Sequence, residues 1–123
     1  MRKRILVLDD NQDILDIVME VLTYEGYEVL CATSTVHFDE RVIGWKPDIV
    51  ILDFKLMDGN GGELCKKLKA GPQTQHIPVI LFSAYITGKK DLSSYGSDAV
   101  IAKPFDLTEF TDKIRDVLIG NNI

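Results

Sequence analysis

The sequence predicts an α/β fold: a doubly wound, five-stranded parallel sheet with helices on both faces. Five short runs of aliphatic and β-branched residues alternate with longer segments, several of them amphipathic. Three of these runs are apolar throughout, which is typical of strands that helices cover on both sides. Strands and helices that alternate in this way, joined by right-handed crossovers, form one parallel sheet. Because 123 residues suit a single core, we expect residues 1–123 to form one domain.

The elements can be assigned in order along the chain. We predict the five strands at residues 5–8, 28–32, 49–52, 79–82 and 99–102. The best-supported helix covers residues 13–24 and ends before Gly26, with its apolar residues at helical spacing: Ile14, Ile17, Val18, Val21 and Leu22. Three further helices are predicted at residues 36–45, 63–70 and 107–119. The interval 86–97 has two glycines and few apolar residues, so we expect the fourth helix of the fold to be short or irregular.

Charge and hydropathy exclude several classes of protein. With 19 acidic and 14 basic side chains the net charge is −5, which disfavours nucleic-acid binding. The first apolar run stops at Asp9 and Asp10 after four residues, whereas a secretory signal needs about 7 to 15. No run approaches the roughly 20 apolar residues that span a bilayer. We therefore expect a cytoplasmic protein without membrane contact, whose Cys31 and Cys65 are small buried side chains rather than metal ligands.

Polar side chains follow four of the predicted strands. Asp9 and Asp10 follow the first strand, Asp53 the third, Ser83 the fourth and Lys103 the fifth. The carboxyl ends of parallel strands meet at one edge of the sheet, where such folds bind ligands. Neighbouring carboxylates repel one another by about 1 to 4 kcal/mol per pair, and a divalent cation such as Mg²⁺ removes that conflict. A carboxylate beside Mg²⁺ can act as a nucleophile toward a phosphoryl donor, and an ammonium group can neutralise the phosphoryl oxygens.

Four segments carry a resemblance to a known family. LVLDDN at 6–11, PDIVILD at 47–53, PVILFSA at 78–84 and AKPF at 102–105 resemble, in order and spacing, the signature segments of the receiver domain of two-component response regulators. The resemblance covers nearly the whole chain. It implies a flavodoxin-like sheet with strand order 2-1-3-4-5. It also implies a cis peptide bond between Lys103 and Pro104, consistent with the near confinement of cis bonds to proline.

The resemblance implies a role for each site residue. Asp53 would be the phosphoacceptor, and Mg²⁺ would be bound by Asp53, by Asp10 directly, by Asp9 through water, and by the backbone carbonyl of Lys55. Ser83 would hydrogen-bond the arriving phosphoryl group and Lys103 would pair with it. The donor would be a histidine kinase or phosphotransfer protein, and a downstream protein partner would sense the change. The domain would not be an enzyme beyond its self-catalysed phosphoryl acceptance and hydrolysis.

Three departures from the family pattern stand out, one of which is that the interval from Ser83 to Lys103 is shorter than the family's. Met57 stands where the family commonly has a proline, and Val100 stands where it usually has a Tyr or Phe that rotates. Valine has no ring to swing, so we expect the signal to pass through residues 85–97 instead.

Other interpretations remain open. Aspartates after strands can simply cap helices, although that does not explain the doubled Asp9 and Asp10. A phosphatase acting through an aspartyl phosphate would need an acid where Lys55 stands, and a flavin domain would need a phosphate loop where Asp9 would repel phosphate. The main alternative is a receiver-like scaffold that binds a partner without being phosphorylated.

Overall fold

The computed structural model describes residues 2–83 and 95–120. Strands and helices alternate along the chain, as the sequence predicted. In chain order they are β1 (Arg4–Leu8), α1 (Gln12–Tyr24), β2 (Glu28–Ala32), α2 (Phe38–Trp45), β3 (Ile49–Asp53), β4 (Lys55–Leu56), β5 (Gly59–Asn60), α3 (Gly61–Ala70), β6 (Val79–Ser83), β7 (Ala99–Ala102) and α4 (Leu107–Gly120). No helix within the described part of the chain is both long and apolar enough to cross a bilayer.

Five strands form the main sheet, in the order β2-β1-β3-β6-β7. All neighbouring strands in it are parallel. Counted within this sheet alone, the order is 2-1-3-4-5, so the predicted fold is confirmed. The other two strands, β4 and β5, form a short antiparallel hairpin between β3 and α3.

Side chains on the two faces of the sheet build two separate apolar layers. Successive residues of a strand point to opposite faces, so β1 gives Leu6 and Leu8 to one layer and Ile5 and Val7 to the other. The first layer also holds buried residues of α2 and α3, and the second holds buried residues of α1 and α4. The sheet is thus covered on both faces, and β3, at its centre, is buried along its whole length.

The buried face of α1 matches the predicted one only in part. Leu15, Val18 and Leu22 are buried, spaced three and four residues apart. Ile17, which we assigned to the apolar stripe, is 46% exposed. That assignment was wrong because two overlapping apolar stripes run along this segment, and only the one through Leu15 faces the sheet.

The starts of two helices also shift from their predicted positions. Helix α2 begins at Phe38 rather than at Val36, since His37 has a left-handed backbone (φ 56°) and makes no side-chain cap. Helix α3 begins two residues early, at Gly61, because the side chain of Asn60 accepts hydrogen bonds from the first-turn amides.

Two other expectations have mixed outcomes. Cys65 is buried as expected, whereas Cys31 is only partly buried, and both thiols are free. The expected irregular fourth helix and the expected signalling segment lie mostly outside the described residues, which resume at Tyr95.

Candidate functional site

Three carboxylates meet at the carboxyl edge of the sheet. In the register of β1 and β3, Leu8 lies beside Leu52, so the chain continues from both strands at the same level. Asp9 and Asp10 follow β1, and Asp53 ends β3. Carboxylate oxygens of all three residues lie within 4.8 Å of one another. The strand register therefore produces the cluster that the sequence predicted.

Asp9 is the innermost member of the cluster. It is fully buried, and its two oxygens have different partners. Oδ1 accepts a hydrogen bond from the backbone N–H of Asn11 at 2.9 Å. Oδ2 lies 2.8 Å from Nζ of Lys103. Lys103 follows β7, which is an edge strand of the sheet. A buried carboxylate needs such partners, so Asp9 is held in one orientation by main chain and ammonium together.

Asp53 shares the ammonium of Lys103, whose Nζ lies 3.5 Å from its Oδ1. Only 8% of Asp53 is exposed. Burial and the nearby charge of Asp9 raise the pKa of Asp53 to about 6, although Lys103 opposes this rise. Burial is the larger of the two causes, and both disfavour the ionised form, so Asp53 holds its proton more tightly than an exposed carboxyl does.

Asp10 lies at the more open side of the cluster, partly buried. Its Oδ2 accepts a hydrogen bond from the backbone N–H of Met57 at 2.8 Å. Met57 lies between β4 and β5, so this bond connects the hairpin to Asp10, one of the candidate metal ligands. Lys55, the proposed carbonyl ligand, lies in β4, where it pairs with Asn60. Nothing in the sequence indicated the bond from Met57, because it joins residues 47 positions apart.

Ser83 and Lys103 occupy the same edge. Ser83 is buried at the end of β6, and its carbonyl oxygen accepts a hydrogen bond from the backbone N–H of Lys103 at 2.9 Å. The peptide bond between Lys103 and Pro104 is cis, as the family resemblance implied. The structure thus brings the predicted hydroxyl and ammonium residues to the strand ends that also carry the carboxylates.

The residues after Asp53 pack closely against α3. A Cβ on Gly61 would clash with the carbonyl oxygen of Asp53, so no other residue fits there without moving the backbone. The ring of Phe54 lies 5.4 Å from the ring of Tyr95, and both rings would touch a Cβ on Gly62. Sequence reasoning missed Tyr95, whose ring packs against Phe54 and lies 5.0 Å from Nζ of Lys66.

Comparison with known proteins identifies the family. A model described as the response regulator receiver domain matches residues 5–115. The chain belongs to this family. It is similar to the phosphate regulon transcriptional regulatory protein PhoB of Pseudomonas aeruginosa, with 33% identity over 94% of this chain and 52% of that protein. It is also 32% identical to sporulation initiation phosphotransferase F of Bacillus subtilis, over 96% of this chain and 95% of that protein.

Solved structures share the fold of this chain. A CheY-like response regulator receiver domain protein from Methanospirillum hungatei superposes with a TM-score of 0.90 at 29% identity, covering 99% of this chain and 98% of that one. The receiver domain of a sensor histidine kinase of Pseudomonas aeruginosa, with magnesium coordinated in its active-site cleft, has a TM-score of 0.85 at 18% identity, covering 96% and 98%. The chain spans about half the length of several curated relatives it matches.

Proposed function

We propose that this receiver domain accepts a phosphoryl group on Asp53 in a Mg²⁺-dependent reaction and signals through the resulting change at the sheet edge. The observation that carries the proposal is the cluster itself. Carboxylate oxygens of Asp9, Asp10 and Asp53 lie within 4.8 Å of one another, and the ammonium of Lys103 contacts two of these residues. In a chain of this family, that arrangement suits an acceptor carboxylate beside a metal.

The donor set fits Mg²⁺. Three carboxylates and one ammonium leave two negative charges uncompensated when all groups are ionised, and a divalent cation matches that excess. The ligands would be Asp9 (through water), Asp10, Asp53 and the backbone carbonyl of Lys55. When bound, Mg²⁺ would supply charge neutralisation for the phosphoryl oxygens.

The residues of the chain would perform the transfer by positioning and charge. An oxygen of the ionised Asp53 side chain forms a bond to phosphorus while the bond from phosphorus to the donor's leaving group breaks. Lys103 would then form an ion pair with the phosphoryl oxygens, since its ammonium already lies 3.5 Å from the Asp53 carboxylate. Ser83 would donate a hydrogen bond to a phosphoryl oxygen. Hydrolysis by water would return the carboxylate, so the domain turns itself off without being an enzyme for another substrate.

The expected partners follow from the chemistry. We propose a histidine kinase or a phosphotransfer protein as the donor and a separate protein as the receiver of the signal, with no nucleic acid bound by this domain. We place the reaction in the cytoplasm, a reducing compartment that suits the two free thiols. Residues 1–123 would act as one domain.

Intact-mass spectrometry would test the proposal. The protein is incubated with acetyl phosphate and Mg²⁺, and the same reaction is run with EDTA in place of Mg²⁺. We expect the wild type to gain one phosphoryl group only with Mg²⁺, and Asp53→Asn to gain none. Asp116→Asn, which removes a carboxylate from the exposed side of α4, is the matched control and should be phosphorylated like the wild type.

Either result is informative. Phosphorylation of Asp53→Asn to the wild-type level would refute the assignment of the acceptor. Failure of the folded wild type to gain mass with Mg²⁺ would favour the alternative function, a scaffold that binds a partner without being modified.

A further inference from the structure

The turn of the β4–β5 hairpin (residues 55–60) is attached to the loop after β2. Oδ2 of Asp58 accepts a hydrogen bond from Oγ of Ser34 at 2.8 Å and another from the backbone N–H of Thr35 at 2.9 Å. Oγ1 of Thr35 also donates to the carbonyl oxygen of Asp58 at 3.4 Å. The bonds to Thr35 and Ser34 hold the pKa of Asp58 below its ordinary value. We call this group of contacts the Asp58 latch.

The hairpin has one buried side chain, Leu56 in its first strand, and a short ladder. Its ladder consists of two residue pairs, Lys55 with Asn60 and Leu56 with Gly59, and isolated two-stranded hairpins are marginal in water. Met57, at its turn, is 94% exposed and so gains little from packing. No proline stiffens the segment. The position of the turn therefore depends strongly on the hydrogen bonds that its main chain and the side chain of Asp58 make with other loops.

The turn also contacts the acidic cluster. The N–H of Met57, the residue before Asp58, donates to Oδ2 of Asp10 at 2.8 Å. Two consecutive residues thus tie the turn to two different loops, one carrying Asp10 and one carrying Ser34 and Thr35. The approach to the second loop is close, because a Cβ on Gly59 would lie 3.2 Å from Cγ2 of Thr35.

We propose that Asp58 is a positioning residue for the metal site: the latch fixes the hairpin turn so that Met57 N–H orients the carboxylate of Asp10. The proposal rests on the proposed function, in which Asp10 binds Mg²⁺. Without the latch the turn moves, Asp10 loses its fixed partner, and Mg²⁺ must order this carboxylate as it binds. Partners that orient metal ligands from outside the ligand set commonly affect metal affinity in this way.

Variants can separate the latch from the simple loss of an acidic charge. Asp58→Ala removes both the acceptor and the charge, whereas Asp58→Asn removes the charge and keeps an acceptor oxygen. Ser34→Ala removes one donor to Asp58 and leaves the charge in place. Because Oγ of Ser34 also accepts from Val36 N–H, the double variant Ser34→Ala/Asp58→Ala is needed to isolate the shared interaction.

Two readouts apply to the full chain. Hydrogen exchange of the Met57 amide, followed by NMR without Mg²⁺, reports the turn directly. Calorimetric titration with MgCl₂ reports the metal affinity. We expect Asp58→Ala and Ser34→Ala to speed Met57 exchange and to weaken Mg²⁺ binding by about three- to tenfold, the effect of one lost hydrogen bond. Asp58→Asn should change both less than Asp58→Ala does, and the double variant should change little beyond Asp58→Ala.

Each alternative outcome has a definite meaning. A purely electrostatic role for Asp58 would weaken Mg²⁺ binding equally in Asp58→Asn and Asp58→Ala, leave Met57 exchange unchanged, and disappear at about 1 M salt, where screening acts within roughly 3 Å. That pattern, or no change in either readout, would overturn the proposal. If the wild type binds no Mg²⁺, the proposed function fails, and the positioning role falls with it even if the latch still controls Met57 exchange.

Discussion

Replacing Asp53 by Asn should make the metal-free protein more stable at neutral pH. The pKa of this carboxyl is raised to about 6 from an ordinary 3.8 by burial and by the charge of Asp9. At about 1.4 kcal/mol per pKa unit, ionising it in the folded chain costs at most about 3 kcal/mol more than in the unfolded chain. Asparagine has nearly the same shape and no charge. The attraction of Lys103 is already contained in this pKa, so we expect a net gain of about 1 to 3 kcal/mol, below the ceiling where the amide hydrogen-bonds less well than a protonated carboxyl.

The pH dependence of this gain has a defined sign. Between about pH 4 and pH 6 the folded chain holds a proton on Asp53 that the unfolded chain has released, so the stability contributed by this group falls as pH rises. The advantage of Asp53→Asn over the wild type should therefore be near zero at about pH 4, grow up to about pH 6 and stay constant above it.

Urea unfolding in EDTA at a series of pH values measures this difference directly. Asp116→Asn, on the exposed side of α4, controls for the loss of a charge and should change the free energy of unfolding by less than about 0.5 kcal/mol. Mg²⁺ at about 1,000 times its dissociation constant should reverse the ranking, because it stabilises the wild type by about 4.1 kcal/mol. An Asp53→Asn protein no more stable than the wild type at pH 7.5 in EDTA would refute the electrostatic reasoning.

Two further predictions concern the core and the thiols. Leu15→Ala should lower the free energy of unfolding by about 2 to 5 kcal/mol and Ile17→Ala by less than about 1 kcal/mol, because only Leu15 faces the sheet. Equal losses of the two variants, measured by urea unfolding, would contradict the observed buried face of α1. Burial raises the pKa of Cys65 to about 11, so under native conditions a thiol-specific reagent at pH 8 should modify Cys31 first. Peptide mass mapping measures the two rates, and faster labelling of Cys65 would contradict its buried position.

The sheet and the acidic cluster could be predicted because both follow from local patterns. Each apolar run marked a strand, and the parallel order brought the residues after the strands to one edge. The sequence alone therefore places Asp9, Asp10 and Asp53 together. The same reasoning located Lys103, whose ammonium lies 2.8 Å from Asp9.

Other features could not be predicted, for two physical reasons. On α1, overlapping apolar stripes left the buried face ambiguous, and only packing decided between Leu15 and Ile17. The hydrogen bonds of Met57 and Asp58 join residues 47 and 23 to 24 positions apart. They depend on where two loops meet in space, and no propensity or spacing encodes that. A signal did exist for Asn60, since asparagine is a preferred helix cap.

The position of Asp53 on β3 limits how a signal can leave the site. Each of the five residues of β3, from Ile49 to Asp53, is buried, and the strand is paired on both sides. Segments of this kind open only when the whole domain unfolds, whereas loops at the edge open at far lower free energy. The proposed acceptor therefore sits on a strand that resists deformation, and its phosphorylation should leave the strand in place while it shifts the populations of the surrounding loops.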